Sequence, residues 1–164
     1  MRNRLKMIKV DASNIRLFSQ ILCEAASWLH QKNQPLWEIN DLSPEQLLQN
    51  YSYGEMYVAS LQNKPAGTVI IQDKDPLFWP DAIDDAVYIH KLSVRRSFAS
   101  DGVSSDILQW VKKQAVSKEV QWVRLDCASD RRKLRNFYEK NGFSFVKEIK
   151  VLQKYETALY QYKT

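Results

Sequence analysis

The chain has 164 residues, of which 45% are hydrophobic and 26% charged, with only 4 Gly and 5 Pro, so it is neither collagen-like nor of low complexity and predicts one domain over residues 1–164. Its formal net charge of +5 arises from 24 basic and 19 acidic residues that form no long run, and a small polyanionic ligand explains the excess as well as a nucleic acid does. No apolar run suits a signal peptide or a membrane span, and Cys23 and Cys127 lack metal-ligand spacing, so we expect a cytoplasmic protein with reduced cysteines, no metal and no membrane partner.

The first half of the chain predicts two helices and three strands from hydrophobic spacing and turn residues. In chain order these are a strand Leu5–Val10, a helix capped by Asp11 or Ser13 and running to about Lys32, a short helix from Ser43-Pro44 to about Tyr51, and a hairpin of Met56–Leu61 and Thr68–Gln72 around a turn at Gln62–Gly67. Residues 73–85 are acidic and aromatic, and we interpret them as a flap on the substrate side because loops of this length usually cover a site.

The second half predicts alternating strands and helices. These are a strand Val87–Val94, a helix beginning at Gly102, a strand Trp122–Ala128, a helix Arg131–Lys140 capped by Asp130 and ended by Asn141-Gly142, and closing strands Phe143–Ile149 and Leu152–Tyr162. This order predicts a mixed sheet with helices on both faces.

The turn between the strand Val87–Val94 and the next helix is the first segment with chemical content. A strand that feeds a small-residue turn and then a helix aims unpaired backbone N–H groups and the helix dipole at one point, where a phosphate binds well. Ala99, Ser100, Gly102 and Ser104 let the backbone come close, while Arg95 and Arg96 supply positive charge nearby. A solvated surface is the alternative interpretation of this arginine pair.

The second segment is the helix that ends in Phe137-Tyr138-Glu-Lys-Asn-Gly142-Phe143. Together with Leu92-x-Val94 and Gly102-Val-Ser104, this pattern resembles the GNAT superfamily of N-acetyltransferases over nearly the whole chain. The resemblance implies a single-domain α/β (α+β) fold with a mixed, mostly antiparallel seven-stranded sheet and helices on both faces. It also implies acetyl-CoA as acyl donor, with no metal.

The resemblance further implies where acetyl-CoA lies. Its pantetheine arm would occupy a gap between the fourth and fifth strands and pair with the backbone of Leu92 and Val94. The amides of residues 100–104 would hold the pyrophosphate, and these residues are Ser100, Asp101, Gly102, Val103 and Ser104.

This sequence departs from the family pattern at four points. The cation that usually leads the phosphate turn is replaced by Ala99, and a common glycine by Ser100, while Asp101 adds a negative charge. Many relatives carry Asn seven residues before the tyrosine, where this chain has Arg131, which could reach a CoA phosphate.

The implied reaction is direct attack of an amine on the thioester, which leaves two proton transfers to the protein. Tyr138 matches the usual acid. For the base, His90 shares strand parity with Leu92 and Val94, but Asp84 or Asp85 acting directly or through water, and a purely structural histidine, stay open.

The acceptor amine should meet aromatic and acidic side chains of the flap and its surroundings. The candidate acceptor-binding residues are Trp37, Trp79, Tyr88 and Asp84, with aromatic packing as the alternative. We expect a small amine or peptide as substrate, no nucleic-acid partner and a possible homodimer. A catalytically idle acyl-CoA-binding or interaction module and a nucleic-acid-associated protein are the competing hypotheses.

Overall fold

The computed structural model of the chain describes residues 4–164, so the first three residues of the predicted domain lie outside the description. Within residues 4–164 the structure has seven strands: β1 Leu5–Lys9, β2 Met56–Leu61, β3 Lys64–Gln72, β4 Ala86–Val94, β5 Trp122–Ala128, β6 Ser144–Val151 and β7 Tyr155–Lys163. The same residues contain four α-helices: α1 Ile15–Gln31, α2 Pro44–Asn50, α3 Val103–Ser117 and α4 Arg132–Lys140. In this described part of the chain no helix has the length and apolar character needed to cross a membrane.

The strands form one sheet in the order β1-β2-β3-β4-β5-β7-β6. Antiparallel registers join β1 to β2, β2 to β3, β5 to β7 and β6 to β7, whereas β4 and β5 are parallel. The predicted mixed, mostly antiparallel seven-stranded sheet is therefore confirmed.

The chain divides into two compact units, and the first comprises residues up to Ile70 together with Lys91–Ile107. Its core forms where the apolar face of α1 packs with side chains of the short helices and of β2 and β3. Gly67 is required here, because a Cβ at this position would lie 2.4 Å from the Ser93 carbonyl oxygen. The Thr68 hydroxyl adds a hydrogen bond to the Lys91 carbonyl at 2.8 Å, which ties β3 to β4.

The second unit comprises Ile71–His90 and Leu108–Thr164. Helix α4 is attached to β7 through Tyr160, whose hydroxyl donates to Glu139 Oε2 at 2.7 Å and accepts from Arg135 Nε at 2.9 Å. Gly142 ends the helix in the left-handed conformation at φ +88°, as the Asn-Gly pair predicts. The hydrogen bonds of Tyr160 thereby fix the end of α4 that carries the aromatic residues against β7.

Two predicted helix caps are wrong. Residue Asn14 caps α1 without a side-chain hydrogen bond, because the Asp11 carboxylate accepts from the Ser13 amide at 2.8 Å and closes the preceding turn instead. Arg131 occupies the cap position of α4, where its side chain makes no capping hydrogen bond, and so Asp130 does not cap the helix. The hairpin turn is also shorter than predicted, since Gln62 and Asn63 both have positive φ and β3 already begins at Lys64.

Candidate active site

The turn that follows β4 lies in the first unit and has the backbone of an anion site. A short 3₁₀ turn spans Arg96–Phe98, Gly102 is left-handed at φ +72°, and α3 begins at Val103. Because α3 begins there, the N–H groups of its first turn have no intrahelical acceptor and lie at the positive end of the helix dipole. Ser100, Asp101 and Gly102 are exposed to solvent. The turn therefore fits a pyrophosphate.

Arg4, which precedes β1, lies against this turn. Its Nε atom donates to Asp106 Oδ2 at 2.7 Å, and its Nη2 atom donates to the Asp101 carbonyl oxygen. A Cβ placed on Gly102 would lie 3.3 Å from the same Nη2 atom. Sequence reasoning missed Arg4 because it is 97 positions from Asp101 and belongs to no motif. It offsets the negative charge of Asp106 beside the turn.

The arginine pair at the end of β4 contacts α1. The Nε and Nη2 atoms of Arg95 each donate to the Glu24 carboxylate at 3.1 Å. The Arg96 guanidinium carbon lies 3.8 Å from the centre of the Trp28 ring. Both arginines border a cavity of about 450 Å³, which is lined by Glu24, Ala25, Val94, Arg95, Arg96 and Ser97. The predicted cofactor residue Leu92 is, like Val94, partly buried on β4.

In the second unit the parallel pairing of β4 and β5 is short. Residues Ala86–Tyr88 of β4 are in register with Trp122–Arg124 of β5. Beyond that register, His90 and Asp126 form a cluster with Asp75, in which one side-chain nitrogen or oxygen of each residue lies within 4.8 Å of the others. The His90 Nε2 atom is 3.4 Å from Asp75 Oδ2. Sequence reasoning found His90 but neither aspartate.

The parity argument for His90 is not supported by the backbone. Lys91 has a φ of +51°, so a left-handed residue stands between His90 and Leu92 in β4. The alternation of side chains along a strand depends on extended backbone, and a left-handed residue departs from it. The surroundings of the His90 side chain are therefore taken from its contact with Asp75 and not from the positions of Leu92 and Val94 along the strand.

Tyr138 lies on α4 and is only 6% exposed. Its ring packs against those of Phe137, Phe143 and Tyr160 at centroid distances of 5.4, 5.9 and 6.4 Å. Burial raises the pKa of Tyr138 far above its usual range, and the negative charge of Asp126 adds to the effect. The phenol is thus protonated at neutral pH and can donate a proton but not accept one.

The two cysteines are free, as predicted. Burial raises the pKa of Cys127 to about 12, and the nearby charge of Asp126 contributes to the rise. The Cys127 thiol is therefore protonated at neutral pH, which makes it a poor nucleophile.

Three of the candidate acceptor residues surround one buried arginine, Arg124 on β5. Its guanidinium carbon lies 4.9 Å from the centre of the Trp79 ring, Nη1 donates to the Tyr88 hydroxyl at 3.2 Å, and Nη2 is 3.5 Å from Asp84 Oδ2. Sequence reasoning missed Arg124. Its position inside a predicted apolar strand is unusual for a basic residue and could have indicated it. The fourth candidate, Trp37, lies in the first unit with the Lys91 ammonium 5.3 Å from its ring centre.

Comparisons with known proteins agree with this fold. The sequence model of the Acetyltransferase (GNAT) family matches residues 22–143. YesJ of Bacillus subtilis (strain 168), named as an uncharacterized N-acetyltransferase, is 26% identical over an alignment of 148 residues that covers 83% of this chain and 78% of that protein.

Two solved structures are similar to the chain. A GNAT family acetyltransferase from Listeria monocytogenes 4b F2365 has a TM-score of 0.79 at 22% identity, covering 98% of this chain and 95% of the other. RimL, a ribosomal L7/L12 alpha-N-protein acetyltransferase in complex with coenzyme A, has a TM-score of 0.70 at 18% identity, covering 99% and 95%. Since the family match spans well over half of the sequence, and includes both the turn after β4 and Tyr138, the chain belongs to the GNAT acetyltransferase family and is an acyltransferase.

Proposed function

We propose that this acyltransferase moves an acetyl group from acetyl-CoA to a primary amine of a small molecule or a peptide by direct attack. The observation that carries the proposal lies in the second unit. There a mostly buried histidine is flanked by two carboxylates, and a buried, protonated tyrosine feels the charge of one of them. Such a pair of groups supplies one proton acceptor and one proton donor.

The cofactor proposal rests on the turn after β4. Left-handed Gly102 and the first amides of α3, at Val103 and Ser104, would hold the pyrophosphate. Arg4 compensates the acidic side chain of Asp106. The similar structure of RimL contains coenzyme A, which supports CoA chemistry for this fold. When bound, acetyl-CoA supplies an activated acetyl thioester.

The proton transfers are assigned to His90 and Tyr138. The negative charges of Asp75 and Asp126 attract a cationic amine, and His90 takes the proton that makes the amine nitrogen nucleophilic. As the new C–N bond forms and the C–S bond breaks, the Tyr138 phenol donates its proton to the departing sulfur, and the second proton that the nitrogen loses on becoming an amide returns the phenolate to the phenol.

The acceptor region is proposed at the flap. The rings of Trp79 and Tyr88 have centroids 6.2 Å apart and lie beside Arg124. This arrangement offers an apolar surface next to a buried positive charge, which suits an amine whose other end carries an oxygen acceptor. Asp84, already paired with Arg124, would contribute through that pair.

The first experiment is a thermal shift with acetyl-CoA, followed by free-thiol release across amines, amino acids and peptides. We expect acetyl-CoA to raise the melting temperature and at least one acceptor to release CoA. Absence of any stabilisation by acetyl-CoA would refute the proposed cofactor, and stabilisation without release from any acceptor would refute the transfer.

The Tyr138→Phe variant tests the acid. General acid catalysis contributes roughly 100-fold or more, so we expect kcat to fall by about that factor while the affinity for acetyl-CoA stays the same. The matched control is Tyr155→Phe, which removes the hydroxyl of an exposed ring on β7 and should leave kcat unaltered. Full activity of Tyr138→Phe from pH 6 to 9 would show that the phenol is not the acid.

A further inference from the structure

Asp75 is held by the turn that it begins in the loop between β3 and β4. Its Oδ1 atom accepts from the Phe78 amide at 3.2 Å, and its carbonyl oxygen accepts from the Trp79 amide at 2.8 Å. The side chain is only 6% exposed. The Phe78 amide thus occupies Oδ1, and Oδ2 is the oxygen beside His90.

The Oδ2 atom of Asp75 is buried without a hydrogen-bond partner among the residues described, 4–164. A buried carboxylate oxygen without a donor costs free energy, so such atoms are uncommon unless they serve a purpose. Burial accordingly raises the pKa of the Asp75 carboxyl group. The His90 imidazole lies beside this oxygen, with its Nε2 atom at 3.4 Å.

The carboxylates beside His90 come from two different elements. Asp75 lies on the loop before β4, and Asp126 lies on β5. Tyr138 on α4 is coupled electrostatically to Asp126 and is neutral. Two carboxylates beside one imidazole favour the protonated form of that imidazole, because the positive charge is attracted by both.

We propose that Asp75 is the positioning residue of His90. When the imidazole carries its proton on Nε2, that N–H donates to Oδ2, the buried oxygen that otherwise has no donor among the described residues, and this favours the tautomer whose lone pair is on Nδ1. The proton of the acceptor ammonium then moves to Nδ1, and the carboxylate stabilises the resulting imidazolium. No other bond changes in this step. The inference rests on the proposed function and adds the residue that makes His90 an effective base.

The titration of His90 tests the pair directly by NMR. The chain has 2 histidines, and His30 on α1 is exposed and serves as internal reference. In Asp75→Asn we expect the His90 midpoint to fall by about one pH unit, a tenfold loss of proton affinity, while His30 stays in place. Asp73→Asn, an exposed carboxylate of the same loop, is the matched control and should move neither midpoint.

Kinetics supply the second readout. The acidic limb of the kcat/KM profile should follow the His90 midpoint downward in Asp75→Asn, and kcat at high pH should fall about tenfold because the tautomer is no longer fixed. The KM for acetyl-CoA should not change. Asp75→Glu should restore part of the midpoint shift, which a merely structural role would not predict.

The outcomes separate this inference from the proposed function. An unchanged His90 midpoint in a folded Asp75→Asn protein, judged by its amide spectrum, overturns the Asp75 role even if the enzyme is active. A shifted midpoint in a protein that transfers acetyl to no amine keeps the pair and refutes the proposed function. If Asp75→Asn does not fold, the imidazole ¹⁵N shifts of the wild-type protein test the tautomer directly, and a neutral His90 that carries its proton on Nδ1 instead of Nε2 overturns the inference.

Discussion

Tyr138 shows how burial decides the chemistry of a single side chain. Its ring is enclosed by three other aromatic rings, and the loss of water raises the pKa of its phenol. A neutral phenol is the form that gives a proton to a thiolate. The same loss of water protonates Cys127 and makes it unsuitable as a competing nucleophile.

Arg4 is the second residue whose surroundings define its role. The turn after β4 lacks a leading cation, and the Arg4 guanidinium donates to the Asp101 backbone carbonyl and to the Asp106 carboxylate. A pyrophosphate placed at this turn would meet a compensated carboxylate and not an isolated one. We therefore propose that Arg4 supplies the positive charge that the turn lacks at its first position.

Arg4→Gln is expected to weaken acetyl-CoA binding about fivefold to tenfold, since one partly exposed charge near a phosphate contributes about 1 kcal/mol. Isothermal titration at low and high salt would measure it, with a smaller difference between variant and wild type at high salt. Arg16→Gln, which removes an exposed arginine on α1, is the control with the same net charge as the variant. Equal affinities of Arg4→Gln and Arg16→Gln for acetyl-CoA would exclude Arg4 from the cofactor site.

At the scale of elements, the strand, turn and helix that run from β4 into α3 depend on one backbone conformation. Gly102 is left-handed, and α3 starts at the next residue. The left-handed residue turns the chain so that the helix begins with its amides exposed. A side chain at this position would oppose both the conformation and the nearby Arg4 guanidinium.

Gly102→Ala is expected to lower the free energy of unfolding by about 1 kcal/mol and the affinity for acetyl-CoA about tenfold. Chemical denaturation and titration would measure the two effects. Gly54→Ala is the matched control, because a Cβ there meets no atom within 4 Å, and it should change stability by less than about 0.5 kcal/mol. Unchanged cofactor affinity in a destabilised Gly102→Ala would separate the turn from cofactor binding.

At the scale of the whole molecule, the Asp75–His90–Asp126 cluster makes stability depend on pH. The folded-state pKa of Asp75 is raised above the unfolded value of 3.8, so the native state binds more protons between the two values. The free energy of unfolding therefore falls as pH rises through that window, and the full loss is reached above the folded-state pKa of Asp75. His90 offsets part of it only while its imidazole is protonated.

Asp75→Asn should accordingly raise the melting temperature by about 2–4 °C at pH 8, the shift that about 1 kcal/mol produces in a protein of this size. Because the raised pKa keeps a larger share of the native carboxyl group protonated at pH 4 than at pH 8, we expect a smaller change at pH 4. Differential scanning calorimetry at both pH values would measure it, with Asp73→Asn as control. An equal gain at both pH values would mean that the buried charge is not the cause.

Much of the fold could be predicted because its signals are local. The apolar face of α1 and the β-branched runs of β3 follow the periods of a helix and a strand, and Asn141-Gly142 ends α4 where the left-handed glycine is needed. The segment containing Tyr138 and the turn at Gly102 are equally local, so the sequence alone determined the family, the order of elements and the candidate acid.

Only the tertiary structure decided which charges meet. Arg4, Asp75 and Asp126 carry no motif, and each acquires its role from a group brought near by the sheet. The same holds for Arg124, which gathers Trp79, Tyr88 and Asp84. Local periodicity also could not predict the left-handed conformation of Lys91 within β4. The physical reason is common to all of them: electrostatic and packing energies depend on distance in space, which sequence separation does not record.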